Sequence, residues 1–266
     1  VEFLVACEAV MSQEGSLGAK SLRRGLNAPK ADLQSRGVFD QKIDSPRVGS
    51  ERVARYAPGM AQSPFSDSFR SGFYKLLETR RSIRKYKADP IPQDVLDRGI
   101  AAGLQAPAGK NRQNWRFYVL RGKKRDEYLA YSQKSWGGIK DVLEKRLKPS
   151  LYQFTERFFF TLGEAPVVIL CYSFNDAEER YHTSIGSVYM AVENMNLACF
   201  AEGLGCCTMG APLEIKSEID KFLGVDLLPE HREGKLELLC GLVLGYPDHE
   251  PPKAPRQLEG RINFLE

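Results

Sequence analysis

The chain has 266 residues, of which 42% are hydrophobic and 27% are charged, and its formal net charge is +4. This composition is typical of a globular protein with one large domain or two small ones. The mild charge argues against a nucleic-acid-binding protein, which usually has a stronger basic bias. No apolar run approaches the ~18 residues that a membrane helix needs. We therefore expect neither a nucleic-acid partner nor membrane association.

Residues 1–59 show no sustained helical or strand period and are rich in Gly, Ser, Pro, Arg and Asp. Such a segment buries too little apolar surface to offset its ordering entropy, so we expect a mostly disordered extension. A dimer-wrapping arm is the alternative. The opening "VEFLVACEAVM" has no basic region before it and no clear cleavage site after it, which makes it a weak signal peptide at best. Met60 is a candidate natural start, and residues 60–266 form the predicted folded domain.

Helical and strand patterns alternate along the predicted domain. A first helix should end near Thr79, and a long helix that is apolar around most of its surface indicates an element buried on several sides. The predicted helices are 66–80, 92–106, 124–135, 140–148, 151–163, 181–205 and 213–224. The predicted strands are 115–122, 166–173 and 235–247, so the fold class is α+β with few strands and many helices.

The six cysteines and three histidines form no C-x-x-C pair and no recognisable metal constellation. Adjacent cysteines such as Cys206 and Cys207 are poorly spaced to bind one zinc ion. Three cysteines lie in strongly apolar contexts, where a free thiol behaves as a small hydrophobe. We therefore expect reduced core thiols, no metal and a cytoplasmic location.

The segment "RRSIRKYK" places five cations within residues 80–87. If the segment is extended, Arg80, Ser82 and Arg84 project to one side, since strand side chains alternate, while Arg81 and Ile83 face the other way. Two guanidiniums and a hydroxyl suit a phosphate group. The alternatives are a solvated basic turn after a helix, or a nucleic-acid contact.

Three later segments carry features that suit a flat, anionic ligand. Residues 103–120, "GLQAPAGKNRQNWRFYVL", combine a Pro-Ala-Gly turn with side-chain amides, which can meet the edge of a heterocycle. Residues 201–212, "AEGLGCCTMGAP", form a glycine-rich connection after the long helix. The segment after the last strand presents Lys253 and Arg256 as further donors to an anion.

The order of these four motifs resembles the FMN-dependent nitroreductase superfamily over about residues 70–262. The resemblance implies a mostly antiparallel central sheet surrounded by helices, and an intertwined homodimer with two flavin sites in its interface. It also implies an FMN-dependent oxidoreductase. Hydride would pass from NADH or NADPH to flavin N5, and then to a nitroaromatic, a quinone or a similar small acceptor, in a ping-pong cycle. No side chain need act as an acid or base, because the flavin carries the chemistry.

The resemblance also implies roles for individual residues. The phosphate and the ribityl chain would be contacted by Arg80, Arg81, Ser82 and Arg84. The ring edge would be contacted by Pro107, Ala108, Gly109 and Asn111 of the other subunit. The ring and its N5 would lie against Met209 and Gly210, and the phosphate would be closed over by Lys253 with Arg256. Many relatives carry Pro-Ser at 107–108 and Gln-Pro-Trp at 113–115, so side-chain roles are less secure there.

Several alternatives stay open within and beyond this family. The chemistry could be reductive dehalogenation of halophenols, flavin-destroying ring cleavage, or dehydrogenation of peptide-derived rings, and a non-enzymatic flavin- or nucleotide-binding module is the rival outside enzymes. Aromatic residues between Tyr128 and Phe160 could form a lid over the flavin, although a core or dimer-interface helix is the preferred interpretation. Glu193 and Asn194 could be polar residues of a dimer seam rather than catalytic groups.

Overall fold

The computed structural model describes residues 63–175, 181–253, 256 and 259–265. The expected extension over residues 1–59, the candidate start Met60 and Cys7 lie outside this range. The described chain divides into two compact units, residues 63–69 with 256 and 259–265, and residues 70–175 with 181–253. In the first unit, the rings of Phe65 and Phe69 stack at 4.8 Å. All the sheet strands belong to the second.

Seven α-helices and four strands occur in the described residues. The helices are α1 (Asp67–Thr79), α2 (Gln93–Gly103), α3 (Gly122–Arg146), α4 (Pro149–Thr161), α5 (Tyr181–Ala201), α6 (Lys216–Leu223) and α7 (Pro229–Arg232). The strands are β1 (Trp115–Arg121), β2 (Val167–Phe174), β3 (Gly205–Met209) and β4 (Leu236–Gly245). Short 3-10 turns cover Gly109–Asn111, Leu162–Glu164, Ala211–Ile215 and Val225–Leu227. None of these helices is long and apolar enough to cross a membrane.

The strands form one antiparallel sheet in the order β1-β2-β4-β3, which confirms the predicted α+β class. Strand β2 is central, and all its residues except Phe174 are buried. Its alternate residues serve opposite faces. Val167 and Ile169 pack with α2 and α5 in the main core, whereas helix α3 packs against β1 and β2. The sheet is therefore covered by helices on both faces.

Three elements differ from the sequence prediction, one of them the short helix α7, which was not predicted. Residues 124–135 and 140–146, predicted in two helices, belong to a single helix of 25 residues, α3. The glycines between them do not break the helix, because tertiary packing offsets their low propensity. Gly138 lies where an added Cβ would be 3.1 Å from Glu214, so here glycine permits close packing. Another difference is β3, since the pattern of residues 205–209 predicts a connection but these residues form the edge strand.

The predicted state of the cysteines is confirmed for the described part of the chain. Its cysteines are free and buried, namely Cys171, Cys199, Cys206, Cys207 and Cys240. Those in the middle of the sheet face one another, because Cys171 of β2 pairs with Cys240 of β4. A hydrogen bond that the Cys171 thiol donates to Cys240, together with burial, raises the pKa of Cys171 well above its usual value, so that thiol stays protonated. No cluster of His, Cys, Asp or Glu in this part of the chain could hold a metal ion.

Candidate cofactor site

The basic segment, residues 80–86, runs beside the edge strand β3. Ser82 forms a parallel bridge with Cys206, and the amide of Ile83 donates to the Cys206 carbonyl at 2.9 Å. Further along, the amide of Tyr86 donates to the carbonyl of Gly163 at 2.7 Å. The backbone is thus tied to elements more than 70 residues away in the chain, and the predicted extended conformation is observed.

Two paired glycines make room for the inward-facing side chains of this segment. Gly205 of β3 pairs with Gly245 of β4. A Cβ at Gly205 would lie 2.6 Å from the Ile83 side chain, and a Cβ at Gly245 would lie 2.9 Å from Tyr86. Both Ile83 and Tyr86 are buried, so this side of the basic segment is fixed against the sheet. Burial also raises the pKa of Tyr86 well above its ordinary value, which keeps the hydroxyl protonated.

Gly163 supports the segment from the other side. Its φ is +61°, in the left-handed region that favours glycine, and it lies in the turn between α4 and β2. A Cβ there would be 2.3 Å from the carbonyl oxygen of Arg84. Since that neighbour is backbone, it has no rotamer by which to move away. The Arg84 backbone is therefore fixed by close contact, and its neighbours Ile83 and Tyr86 are fixed by hydrogen bonds.

The cationic side chains of the segment are not equivalent. Arg80 is partly buried, and its Nε lies 3.6 Å from Oε1 of Glu193. Arg81 donates from Nη1 to the carbonyls of Glu78 and Arg80, at 2.7 and 2.6 Å, so it satisfies oxygens at the end of α1. Lys85 pairs with Asp248 at 2.5 Å, and this hydrogen bond holds the pKa of the Asp248 carboxyl below its usual value.

The polar turn, residues 107–114, follows α2 and leads into β1. Lys110, Asn111 and Gln113 all have positive φ, at 52°, 55° and 53°. Left-handed backbone at residues other than glycine costs about 1–3 kcal/mol each and is typical of functional sites. The Asn111 amide donates to the Ala108 carbonyl at 2.9 Å, so most of the turn is held by its own short-range hydrogen bonds. At its end, Asn114 exchanges hydrogen bonds with the backbone of Phe174 on β2.

Further site residues predicted from the sequence lie at the end of β3 and near the C-terminus. Met209 is the last residue of β3 and is buried. A Cβ added at Gly210 would meet no atom within 4 Å, so the backbone here borders open space. Lys253 is exposed at the end of the second unit, whereas Arg256 is exposed and belongs to the first unit.

Helix α5 connects these parts of the site through three polar side chains, those of Glu193, Asn194 and Asn196. Glu193 faces Arg80, and its Oε2 accepts from Asn196 Nδ2 at 3.1 Å. The Asn196 amide also lies 3.4 Å from Thr208 Oγ1, next to Met209 on β3. Asn194 Nδ2 donates to the carbonyl of Ala102 at 3.3 Å, near the end of α2. The basic segment, the end of β3 and the helix before the polar turn therefore contact the same part of α5.

Four of the eight aromatic residues from Tyr128 to Phe160 are buried in the core. Trp136 and Phe159 are buried with ring centroids 5.2 Å apart, where α3 packs on α4. Tyr152 lies at the same distance from Trp136. Phe160 is exposed. For the buried members, these contacts support the core-helix interpretation over the lid.

A separate polar cluster joins α6 to the sheet. The buried Asp220 accepts from the hydroxyl of Tyr172 at 2.7 Å and lies 2.8 Å from Nε2 of His231. Burial, followed by the hydrogen bond to Asp220, raises the pKa of Tyr172 well above its usual value. A cavity of about 690 Å³ lies beside this cluster and is lined in part by Lys216 and Glu237. The cluster satisfies a buried carboxylate, and its residues are not among those predicted for the site.

The nitroreductase family profile matches residues 77–246. The chain belongs to the nitroreductase family. This membership makes the protein a nitroreductase-family oxidoreductase.

Individual relatives are named for different activities. An iodotyrosine deiodinase from Thermotoga neapolitana is 31% identical over 69% of this chain and 92% of that protein. Iodotyrosine deiodinase 1 from Rattus norvegicus is 43% identical over 66% of this chain, although the match spans only 62% of the rat protein. An FMN-dependent nitroreductase from Mycobacterium smegmatis, solved in complex with NADPH, superposes with a TM-score of 0.60 at 18% identity, covering 74% of this chain and 100% of that one. The last comparison shows the shared fold.

Sequence reasoning missed three supports of the site. The strand β3 was not recognised, Gly163 was not singled out, and Glu193 was not linked to Arg80. A usable signal existed for Gly205 and Gly245, the glycines that make room for the basic segment. They lie in "GLGCC" and "LVLGYP", in or beside an apolar run, which is typical of a strand that another backbone approaches closely. The contact with Glu193 had no local signal, since the two residues are 113 positions apart (193 − 80).

Proposed function

We propose that the protein is an FMN-dependent oxidoreductase that takes reducing equivalents from NADH or NADPH and delivers them to a small acceptor such as a nitroaromatic or a quinone. The observation that carries this proposal is the fixed basic segment. Its backbone is pinned against β3 and Gly163, while Arg80, Ser82 and Arg84 are only partly buried. The residues that the family resemblance assigns to the FMN phosphate are therefore the residues whose backbone the fold holds in place.

The residues present fit FMN. Guanidinium and hydroxyl donors suit a phosphate, and the open space at Gly210 suits the close approach of a flat ring. Arg80, Ser82 and Arg84 would hold the phosphate, with Arg81 beside them. The polar turn would contact the ring edge through Pro107, Ala108, Gly109 and Asn111, Met209 and Gly210 would lie against the ring, and Lys253 and Arg256 would close on the phosphate.

FMN, when bound, would supply hydride transfer at N5. The protein would bind and orient, and none of its side chains would have to act as an acid or base. Cations of the basic segment would also favour an anionic cofactor electrostatically, because charge that is already in place needs little reorganisation. The free, buried thiols agree with our further proposal of a cytoplasmic location.

We also propose that the protein acts as a homodimer, as the resemblance implies. Helix α1 buries none of its own residues, and Phe73, Tyr74 and Leu77 are exposed on it. Tyr189 and Met190 of α5 are exposed as well. Large apolar side chains on two helices are typical of a surface that another subunit covers. A second copy of this chain is the partner that the family implies.

Turnover measurements test the proposed activity. NADH and NADPH oxidation would be followed with FMN-loaded protein, with and without a quinone or a nitroaromatic compound. We expect acceptor-dependent oxidation and parallel lines in double-reciprocal plots, as a ping-pong cycle requires. A protein that binds FMN but oxidises neither nucleotide with any acceptor would contradict the activity and favour a binding module.

Reductive dehalogenation of a halogenated phenol is a second candidate, favoured by the identity with two iodotyrosine deiodinases. The electron donor and the flavin site would be unchanged, and only the acceptor would differ. Release of iodide from iodotyrosine under anaerobic conditions, with dithionite as the reductant, would support this candidate. Nitroaromatic or quinone reduction without any halide release would favour the first one.

A further inference from the structure

We infer that Glu193 is a positioning residue, which fixes the direction of the Arg80 guanidinium so that it meets the phosphate of the cofactor. The inference rests on the proposed function, because it assigns a role toward bound FMN. Glu193 lies on α5, far in sequence from the basic segment, and its contact with Arg80 is the first link of the chain Arg80–Glu193–Asn196–Thr208.

Glu193 is held from both sides. Its Oε1 lies 3.6 Å from Arg80 Nε, and its Oε2 accepts from Asn196 Nδ2 at 3.1 Å. Asn196 is 7% exposed and also contacts Thr208, so its amide is itself fixed in the protein. The Glu193 side chain is 50% exposed, and such a surface glutamate loses side-chain entropy when it makes an ion pair, but here the buried Asn196 already restrains the carboxylate.

The position of this contact on Arg80 matters. The guanidinium is planar and rigid, so fixing its Nε fixes the direction of its two terminal amino groups. Those groups make the paired hydrogen bonds by which arginine recognises a phosphate. Restraining Arg80 before FMN arrives removes part of the ordering cost of binding.

If Glu193 competed with FMN, its removal would change FMN affinity in the opposite direction. A carboxylate beside the site repels a phosphate, so if Glu193 merely competed with FMN for Arg80, its removal would tighten binding. Because Glu193 is anchored by Asn196 and contacts the Nε edge, the geometry favours positioning. The two roles therefore predict changes of FMN affinity in opposite directions.

The experiment titrates FMN into apoprotein and follows the quenching of flavin fluorescence. For Glu193→Ala we expect a dissociation constant about 2- to 10-fold higher than that of wild type, which is the usual effect of one side-chain ordering step. Glu193→Gln keeps the length and an acceptor oxygen, so it should recover part of the loss. Glu202→Gln is the matched control, because Glu202 directly follows the end of α5 and pairs with Arg98 at 2.8 Å. This variant should leave FMN binding unchanged.

A double-mutant cycle separates positioning from a general structural effect. Once Arg80 is replaced by alanine, Glu193→Ala should cause no further loss of FMN affinity. Unchanged or tighter binding by Glu193→Ala, or an equal loss in the Arg80→Ala background, would overturn the inference while leaving the proposed function intact. A wild-type protein that binds no FMN would overturn the proposed function itself, and the role of Glu193 with it.

Discussion

The basic segment and the polar turn are both predicted to contact the same ligand, yet the protein holds them in different ways. The backbone of the basic segment donates to Cys206 and Gly163, and the amide after it donates to Tyr246. The polar turn instead closes mostly on itself, as in the hydrogen bond from Asn111 to Ala108, and its last residue, Asn114, is tied to a distant element, at Phe174 of β2. One region is positioned by distant parts of its own chain, and the other mainly by local geometry.

The two regions therefore contribute to ligand binding in different ways. A phosphate is recognised by charge in a fixed place, so the region that holds it is built into the sheet edge. The turn is exposed and conformationally strained, and a second subunit could complete its environment. We therefore expect changes to the basic segment's supports to act on folding, and changes to the turn to act on the assembled site.

The largest expected effect is on folding stability. Gly163→Ala adds a Cβ at a φ of +61°, only 2.3 Å from the Arg84 carbonyl oxygen. The strain and the clash together should lower the free energy of unfolding by about 3 kcal/mol. Chemical denaturation followed by circular dichroism would measure this change.

Gly122→Ala is the matched control, because Gly122 has a φ of +49° but an added Cβ there meets no atom within 4 Å. We expect a loss of only about 1 kcal/mol for this variant. Equal losses for both glycines would show that the close contact with Arg84 contributes little, and the contrast between the two regions would be weakened.

The next prediction concerns whether the polar turn acts across subunits. One inactive variant carries Arg80→Ala and Arg84→Ala, and the other has residues 107–111 replaced by a Gly-Ser linker. In a mixed dimer one site would hold both lesions and the other neither. Random pairing makes half of the dimers mixed, so co-expression should restore about a quarter of wild-type activity. Mixed dimers that form but stay inactive would place both regions of each site on one chain.

A smaller effect tests the strain in the polar turn. Lys110 has a φ of 52°, which glycine adopts without a Cβ penalty. Lys110→Gly should therefore raise the free energy of unfolding, by at most about 1 kcal/mol after the added chain entropy is counted. Melting temperature is the measurement. A clear destabilisation would mean that the Lys110 side chain makes contacts that matter more than the backbone strain.

The smallest expected effect is that of removing residues 1–59. The segment lacks an apolar pattern, and the family profile begins only at residue 77. The truncated protein should keep its flavin content, and its melting temperature should change by less than about 2 °C. A larger loss of either property would support the dimer-wrapping arm and move the boundary away from residue 60.

Much of the fold could be predicted because its signals are local. The end of α1 at Thr79 and the buried strand β2 follow from apolar periodicity within short windows. Strand β3 was missed because it has only five residues and follows a glycine-rich helix end, which is the usual pattern of a loop. The merger of two predicted helices into α3 depends on tertiary packing, which no short window contains.

The candidate site could also be predicted only in part from local signals. The alternation of Arg80, Ser82 and Arg84 could be read from residue spacing, and the extended backbone that it required is observed. What placed that backbone could not be read, because the supports at Gly163 and Glu193 are distant in sequence. The basic segment and the end of α2, just before the polar turn, both contact the middle of α5, which only the three-dimensional structure reveals.

FMN titration of wild-type and Arg80→Ala apoprotein shows whether the basic segment holds the phosphate. We expect one FMN per wild-type chain, and an affinity ~10- to 100-fold lower for Arg80→Ala, because one charge-assisted contact is lost. Lys85→Ala is the control within the same segment, since Lys85 pairs with Asp248 at the surface, and it should bind FMN nearly as wild type does. Full flavin loading of Arg80→Ala at wild-type affinity would contradict the claim that this segment holds the phosphate.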